Sequence, residues 1–188
     1  MLPTLSLIMD ARNDEYMGNA RWRLETSLNY LGERLAALGR DDDVEVVLTD
    51  WGSGVPLRDV VALEPVAARM VSFITVPPAL ARELQRDSSF PDVLALNAAV
   101  RRARGTYIGR IDQDTLVGER FIRWFFDAVE GVRPPPPGAT LDTAFFFGEP
   151  PEPSVSLRVG LAESAARGEV CPMVWGHAVR VSEESRDW

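Results

Sequence analysis

Three short runs of acidic and amide residues in this 188-residue chain could do chemistry together: Asp10-Ala11-Arg12-Asn13-Asp14, Asp50-Trp51-Gly52-Ser53 and Asp112-Gln113-Asp114. Each follows an apolar run with the length and composition of a buried strand, Leu5 to Met9, Val44 to Thr49 and Thr106 to Ile111. In open α/β sheets ligands bind beyond the carboxyl ends of the strands, where loops converge and helix N-termini point at the site. Like charges gathered on one edge do not stabilise a fold, so three acidic strand ends predict a cation, or a ligand that brings one. Residues i and i+2 of an extended chain project to the same side, so Asp112 and Asp114 can face one ligand across the Gln113 backbone. Carboxylate oxygens are hard ligands, suited to Mg2+ or Mn2+, which keep some waters and bridge to a substrate's phosphates. The plainer reading is that Asp112 ends a strand and Asp114 begins the turn before the next helix.

For these runs to meet, the chain must bring distant strands to one sheet edge. Leu24, Leu28, Leu31, Leu35 and Leu38 recur at intervals of four and three, which predicts a helix opened near Asn19 and stopped at Gly39. Asp41-Asp42-Asp43 is a solvated connector, and a short helical piece is expected around Leu57 to Leu63, before Pro65. Val71 to Val76 reads as a strand closed by Pro77-Pro78, and Val93, Leu96, Val100 and Ala103 as a helical stripe ended by Gly105. Phe121, Ile122, Phe125, Phe126 and Val129 make the face of another helix. Strands alternating with helices at these lengths imply parallel crossovers and one α/β domain over residues 1–188, its sheet covered on both sides. After Gly131 the signal weakens: Pro134 to Gly138 is a stiff loop and Pro150-Pro151-Glu152-Pro153 breaks the chain. Thr143 to Phe147, Val170 to Trp175 and Ala178 to Ser182 are candidate strands, with Phe145-Phe146-Phe147 a buried segment.

Composition narrows the function. With 28 acidic and 20 basic residues the net charge is −8, and there is no basic run, which argues against a dedicated nucleic-acid binder. Every basic residue is Arg; without lysine there is no Schiff base and no Walker lysine. The single Cys171 fits a reducing, cytoplasmic setting, no apolar run approaches a membrane span, and Met1-Leu2-Pro3-Thr4 has no charged leader region.

Four fragments, taken in order and spacing, carry a resemblance: Ser6 to Asp14 (SLIMDARND), Val44 to Ser53 (VEVVLTDWGS), Asn97 to Ile108 (NAAVRRARGTYI) and Asp112-Gln113-Asp114. Over Leu5 to Phe126 the chain resembles the nucleotide-diphosphosugar glycosyltransferases of the GT-A fold, nearest to the large inverting family 2. The resemblance implies a Rossmann-like, mostly parallel sheet flanked by helices and, from the missing late segment, a C-terminally incomplete domain. It implies metal-dependent, inverting transfer of a sugar from a nucleotide-diphosphosugar to a saccharide or other hydroxyl acceptor, with Mn2+ or Mg2+. Asp10, Arg12, Asn13 and Asp14 would line base and ribose, and Asp50 would also face the nucleoside. Asp112 would approach the ribose or the metal, Asp114 would coordinate the metal bridging the diphosphate, and Asn97 would lie beside the donor or be satisfied on a helix surface. Residues 1–130 would form the nucleotide-sugar-binding part and 131–188 part of the acceptor side.

Two departures stand out. Trp51 replaces the carboxylate that commonly follows the position of Asp50, and it could stack on a base or pack in the core. Val181 to Trp188 resembles the stretch before the family's loop and catalytic carboxylate, leaving Glu183 and Glu184 as candidate bases beside the reading of a solvated charge run. The alternative is therefore a truncated or non-catalytic nucleotide-sugar-binding module. His177, the only histidine, is expected to be structural. A haloacid-dehalogenase-like phosphatase would need a lysine and its D-x-D after the first strand, and a dinucleotide enzyme would need G-x-G-x-x-G after Met9; neither is present.

Overall fold

The computed structural model describes residues 2–85, 88–132, 154–156, 172–173 and 177–180. Its strands are β1 (Leu5–Ala11), β2 (Val44–Trp51), β3 (Val71–Val76), β4 (Tyr107–Arg110), β5 (Thr115–Leu116), β6 (Ser154–Ser156), β7 (Pro172–Met173) and β8 (His177–Arg180). The helices are α1 (Ala20–Ala37), α2 (Leu57–Val60), α3 (Pro65–Met70), α4 (Pro78–Leu84), α5 (Asp92–Val100) and α6 (Glu119–Val129). The main sheet runs β3-β2-β1-β4-β8, parallel through its first four strands and antiparallel at β8, where Arg110 lies opposite His177. A small antiparallel sheet runs β5-β6-β7. The fold is thus the expected α/β class, a mostly parallel sheet flanked by helices.

The sheet is apolar on both faces because both are covered, as parallel crossovers require. On one face Leu24, Leu28, Leu31 and Leu35 of α1 and Phe125 and Phe126 of α6 pack on Leu5, Leu7, Met9, Val46 and Leu48. On the other, Ala99 and Ala103 seat against Ile8, Val47 and Ile108. Register with β1, from Leu5 opposite Val44 to Ala11 opposite Asp50, brings the ends of β1 and β2 to one edge, and β4 ends on their other side. At the opposite edge Gly105 is obligatory, since a Cβ there would stand 2.6 Å from the Ser6 nitrogen. Beside it the buried Glu45 accepts from Ser6 Oγ and from Arg104. Burial alone would raise its pKa, but those hydrogen bonds outweigh burial and hold it below the usual value.

Several expectations shift. The stripe on α5 is rotated: Ala95 and Ala99 are buried, whereas Val93 and Val100 are exposed, because only small residues fit so close to the sheet. Pro65 and Pro78 do not merely stop elements; each occupies the first helical position of α3 and α4, where its missing N–H costs nothing. The piece expected over Leu57 to Leu63 is only α2, Leu57–Val60. Asn19 precedes α1 without capping it by its side chain; it stands in the left-handed region at φ 51°. Of the late segments, β7 and β8 fall inside the expected ranges Val170 to Trp175 and near Ala178 to Ser182. Thr143 to Phe147, Cys171, Glu183 and Glu184 lie outside the described residues. Among the described residues no helix is long and apolar enough to cross a membrane.

Candidate functional site

At the carboxyl edge of β1 and β4 lies a cleft of about 400 Å3, in the range of small-molecule sites. The end of β1 and its following loop give one wall, Asp10, Arg12, Asp14 and Tyr16; the end of β4 gives the facing wall, Arg110, Asp112, Gln113 and Asp114. Ser88, Ser89, Phe90 and Asp92, leading into α5, close the third side. The cleft therefore unites Asp10, Arg12, Asp14, Asp112 and Asp114, residues from two loops about a hundred positions apart in sequence.

Each wall is built by local chemistry. Arg12 donates from Nε to Asp14 Oδ2 at 2.6 Å and from Nη1 to the Ser89 carbonyl at 2.9 Å, with its guanidinium 5.5 Å from the Phe90 ring centre. It thereby ties the loop after β1 to the segment before α5. Asp14 turns the loop by accepting from the Tyr16 N–H at 3.0 Å. Met17, Gly18 and Asn19 follow with φ of 53°, 70° and 51°, three left-handed residues in succession. Two of them carry side chains, at a cost of order 1 kcal/mol or more each that the surroundings must offset. On the facing wall Arg110 Nη2 lies 3.3 Å from Asp112 Oδ1 at the rim.

The electrostatics are unbalanced. Five aspartates and two arginines line the cleft, so an anionic ligand arriving alone meets net repulsion. Asp10 shows the effect most clearly. Its Oδ2 is buried with no hydrogen-bond partner, and its pKa is pushed from the ordinary 3.8 to about 7. Burial is the main cause, Asp92 adds to it, Arg110 opposes it and Asp112 adds a smaller push. A buried carboxyl oxygen without a partner, in a cleft of excess negative charge, fits a divalent ion or a hydroxyl donor.

Asp114 is placed differently from expectation. It is 4% exposed, and its Oδ2 accepts from Arg23 Nη1 at 2.6 Å, an arginine itself 1% exposed. Its charge is already matched inside the protein. Among the described residues no three His, Cys, Asp or Glu side chains surround a point that could hold an ion. Asp10 and Asp112 are the carboxylates whose chemistry still suits one, and Mg2+-type ions commonly use one or two carboxylates plus a substrate's phosphates.

Other expected residues stand away from the cleft wall. Asn13 joins loops instead: its N–H donates to Ser53 Oγ at 2.8 Å and its side-chain amide to the Val55 carbonyl at 2.9 Å. Asp50 does not line the cleft. It is wholly buried, accepting from the Leu57 N–H at 2.8 Å and from Ser53 Oγ, and so fixes the turn after β2. Trp51 packs in the core with Val76, Ala81 and Ala95 against Phe90. Asn97 is exposed on α5 and lines no part of the cleft.

Arg23, Phe90, Asp92 and Arg110 went unnoticed in the sequence. Arg23 had a legible signal, a charge in step with the leucine stripe of α1, since it precedes Leu24 and repeats toward Ser27 and Leu31 on the buried face. Asp92 begins α5, and asking what opens each helix, as well as what ends each strand, would have found it. Arg110 and Phe90 carried no local signal.

No family model matches the chain, and no curated protein matches it. Solved structures share part of its backbone path. Residues 1–349 of S. aureus TarS match at 16% identity with a TM-score of 0.48, over 68% of this chain and 32% of that one. The same protein in complex with UDP-GlcNAc matches at 16% identity and 0.49, over 68% and 31%. The mannosyltransferase PcManGT from Pyrobaculum calidifontis, in complex with GDP-Man and Mn2+, matches at 18% identity and 0.44, over 77% and 37%. The chain thus spans about a third of the length of these proteins, and the nucleotide sugars and the ion belong to them.

Proposed function

We propose that the chain is a glycosyltransferase domain that moves a sugar from a nucleotide-diphosphosugar to an acceptor hydroxyl with inversion, assisted by Mn2+ or Mg2+. The observation that carries this reading is the cleft itself. The ends of β1 and β4 meet there as the motif order requires, and they leave Asp10 with a buried, unpartnered oxygen amid excess negative charge. Such a site disfavours a free anion and favours one that arrives with a divalent ion.

In this reading Asp112, at the rim, and Asp10, behind it, would hold the ion together with the diphosphate. When bound, the ion supplies positive charge where the departing diphosphate gains negative charge. The chain's own residues do the rest. Arg12 and Asp14 hold the loop that covers the nucleoside, and Phe90 with the Arg12 guanidinium offers a flat, weakly cationic wall for a base. Asp92 accepts from sugar or ribose hydroxyls. The bond between anomeric carbon and diphosphate oxygen breaks as the acceptor oxygen attacks from the opposite face, and a carboxylate takes the acceptor's proton. Glu183 and Glu184 are the nominated bases, residues 1–130 serve the donor and residues 131–188 serve the acceptor. The single Cys171 accords with a cytoplasmic setting.

A thermal-shift panel of UDP-, GDP- and dTDP-sugars, each with Mn2+ and with EDTA, tests the proposal, since a ligand of the folded state raises the melting temperature. A rise for at least one nucleotide sugar with Mn2+ only is expected. No rise for any of them counts against the reading. Binding without turnover toward any hydroxyl acceptor would favour the non-catalytic module.

A further inference from the structure

One buried guanidinium contacts both acidic walls of the cleft. Arg23, on the sheet-facing side of α1, donates from Nη1 to Asp114 Oδ2 at 2.6 Å, from Nη2 to the Tyr16 carbonyl and from Nε to the Gly18 carbonyl at 3.2 Å. Asp114 belongs to the loop after β4, and Tyr16 and Gly18 to the loop after β1. The second loop is the one that passes through three left-handed residues before α1 begins. That course brings two of its carbonyls, Tyr16 and Gly18, onto a cation one turn into the helix. An arginine is 1% exposed here only because all three nitrogens have acceptors. A guanidinium spreads its donors over three nitrogens in one plane, whereas an ammonium carries all three N–H groups on a single atom.

We propose that Arg23 is a positioning residue that sets the spacing of the two cleft walls, with Asp114 as its counter-ion. The ligand-facing negative charge then falls on Asp10, Asp92 and Asp112. Arg23 touches no ligand; it acts through Asp114 and the loop of residues 14–19. The binding consequence rests on the nucleotide reading above, whereas the loop consequence does not.

The test is amide hydrogen exchange on the full, ligand-free chain, paired with calorimetry of UDP and GDP in Mn2+. In Arg23→Lys, which keeps the charge and loses the fork, the hydrogen-bonded amides of Asp14, Tyr16, Gly18 and Thr115 exchange at least tenfold faster while those of β1–β3 keep wild-type rates. Asp114→Asn provides the second variant. It speeds exchange at Thr115 and leaves Asp14, Tyr16 and Gly18 protected, because Arg23 retains its carbonyl partners. Nucleotide affinity falls at least tenfold in Arg23→Lys although strand protection is unchanged, a split that a merely structural residue would not give. Unchanged exchange in both loops of Arg23→Lys overturns the clamp, as does loosened exchange with wild-type affinity. If wild-type protein binds no nucleotide while the loops of Arg23→Lys loosen, the clamp is supported and the glycosyltransferase reading is what fails.

Discussion

Replacing Asp10 with Asn should make the protein more stable and less able to bind its ligand. A carboxyl whose folded-state pKa is about 7 against an ordinary 3.8 binds its proton more tightly in the folded chain than in the unfolded one. Its contribution therefore favours folding most below pH ~4, is lost as pH rises between ~4 and ~7, and stays level above that. At about 1.36 kcal/mol per pH unit the full span sets a ceiling of about 4 kcal/mol of destabilisation at pH 8. Asp10 is only half-buried, so water reaching the site lowers this to about 2 kcal/mol. Asparagine is nearly isosteric and never ionises. Asp10→Asn should exceed wild type in urea-unfolding free energy by about 2 kcal/mol at pH 8 and by less than about 0.5 kcal/mol at pH 4. The other buried carboxylates are common to both proteins, so the difference isolates Asp10. A gap that does not change with pH, or a variant less stable than wild type at pH 8, refutes the electrostatic reading of the cleft. In the same variant, Mn2+-dependent nucleotide affinity should fall, because the carboxylate that costs stability is the one the ligand uses.

Other consequences are more local. Asp112→Asn should weaken Mn2+-dependent nucleotide binding by about ten- to a hundredfold in calorimetry, the worth of one charged contact, with little change in melting temperature. Asp50→Ala should cost about 3 kcal/mol in urea unfolding, since it strands the buried Leu57 N–H and Ser53 hydroxyl; a change below ~1 kcal/mol would mean that Asp50 is not the internal brace described. Gly105→Ala should destabilise by about 2 kcal/mol or more, because its Cβ would press against backbone rather than a yielding side chain.

The main sheet was legible because its strands announce themselves. β1 to β3 are apolar runs flanked by punctuation, and the leucine spacing of α1 leaves little choice of face. The α5 stripe misled because periodicity alone weighs Val above Ala, whereas close packing on a sheet selects the smaller residue. The site was half legible. Strand-end logic located Asp10, Asp14 and Asp112, but it could not tell a carboxylate that faces solvent from one turned inward. Asp50 and Asp114 are the same residue type at similar strand ends, yet both are satisfied within the protein. Asp50 is turned inward by a local turn whose Leu57 N–H lies seven residues on and carries no pattern of its own, whereas Arg23 reaches Asp114 from 91 residues away, an approach that depends on the tertiary fold. Arg110 and Phe90 reach the cleft for the same reason.

The central claim, that this cleft binds a nucleoside diphosphate together with a divalent ion, is tested most directly by calorimetric titration of UDP and GDP into the protein with Mn2+ and again with EDTA. Saturable binding of at least one of them in Mn2+, lost in EDTA, is expected. Equal affinity under both conditions, or no heat with either nucleotide, would contradict it.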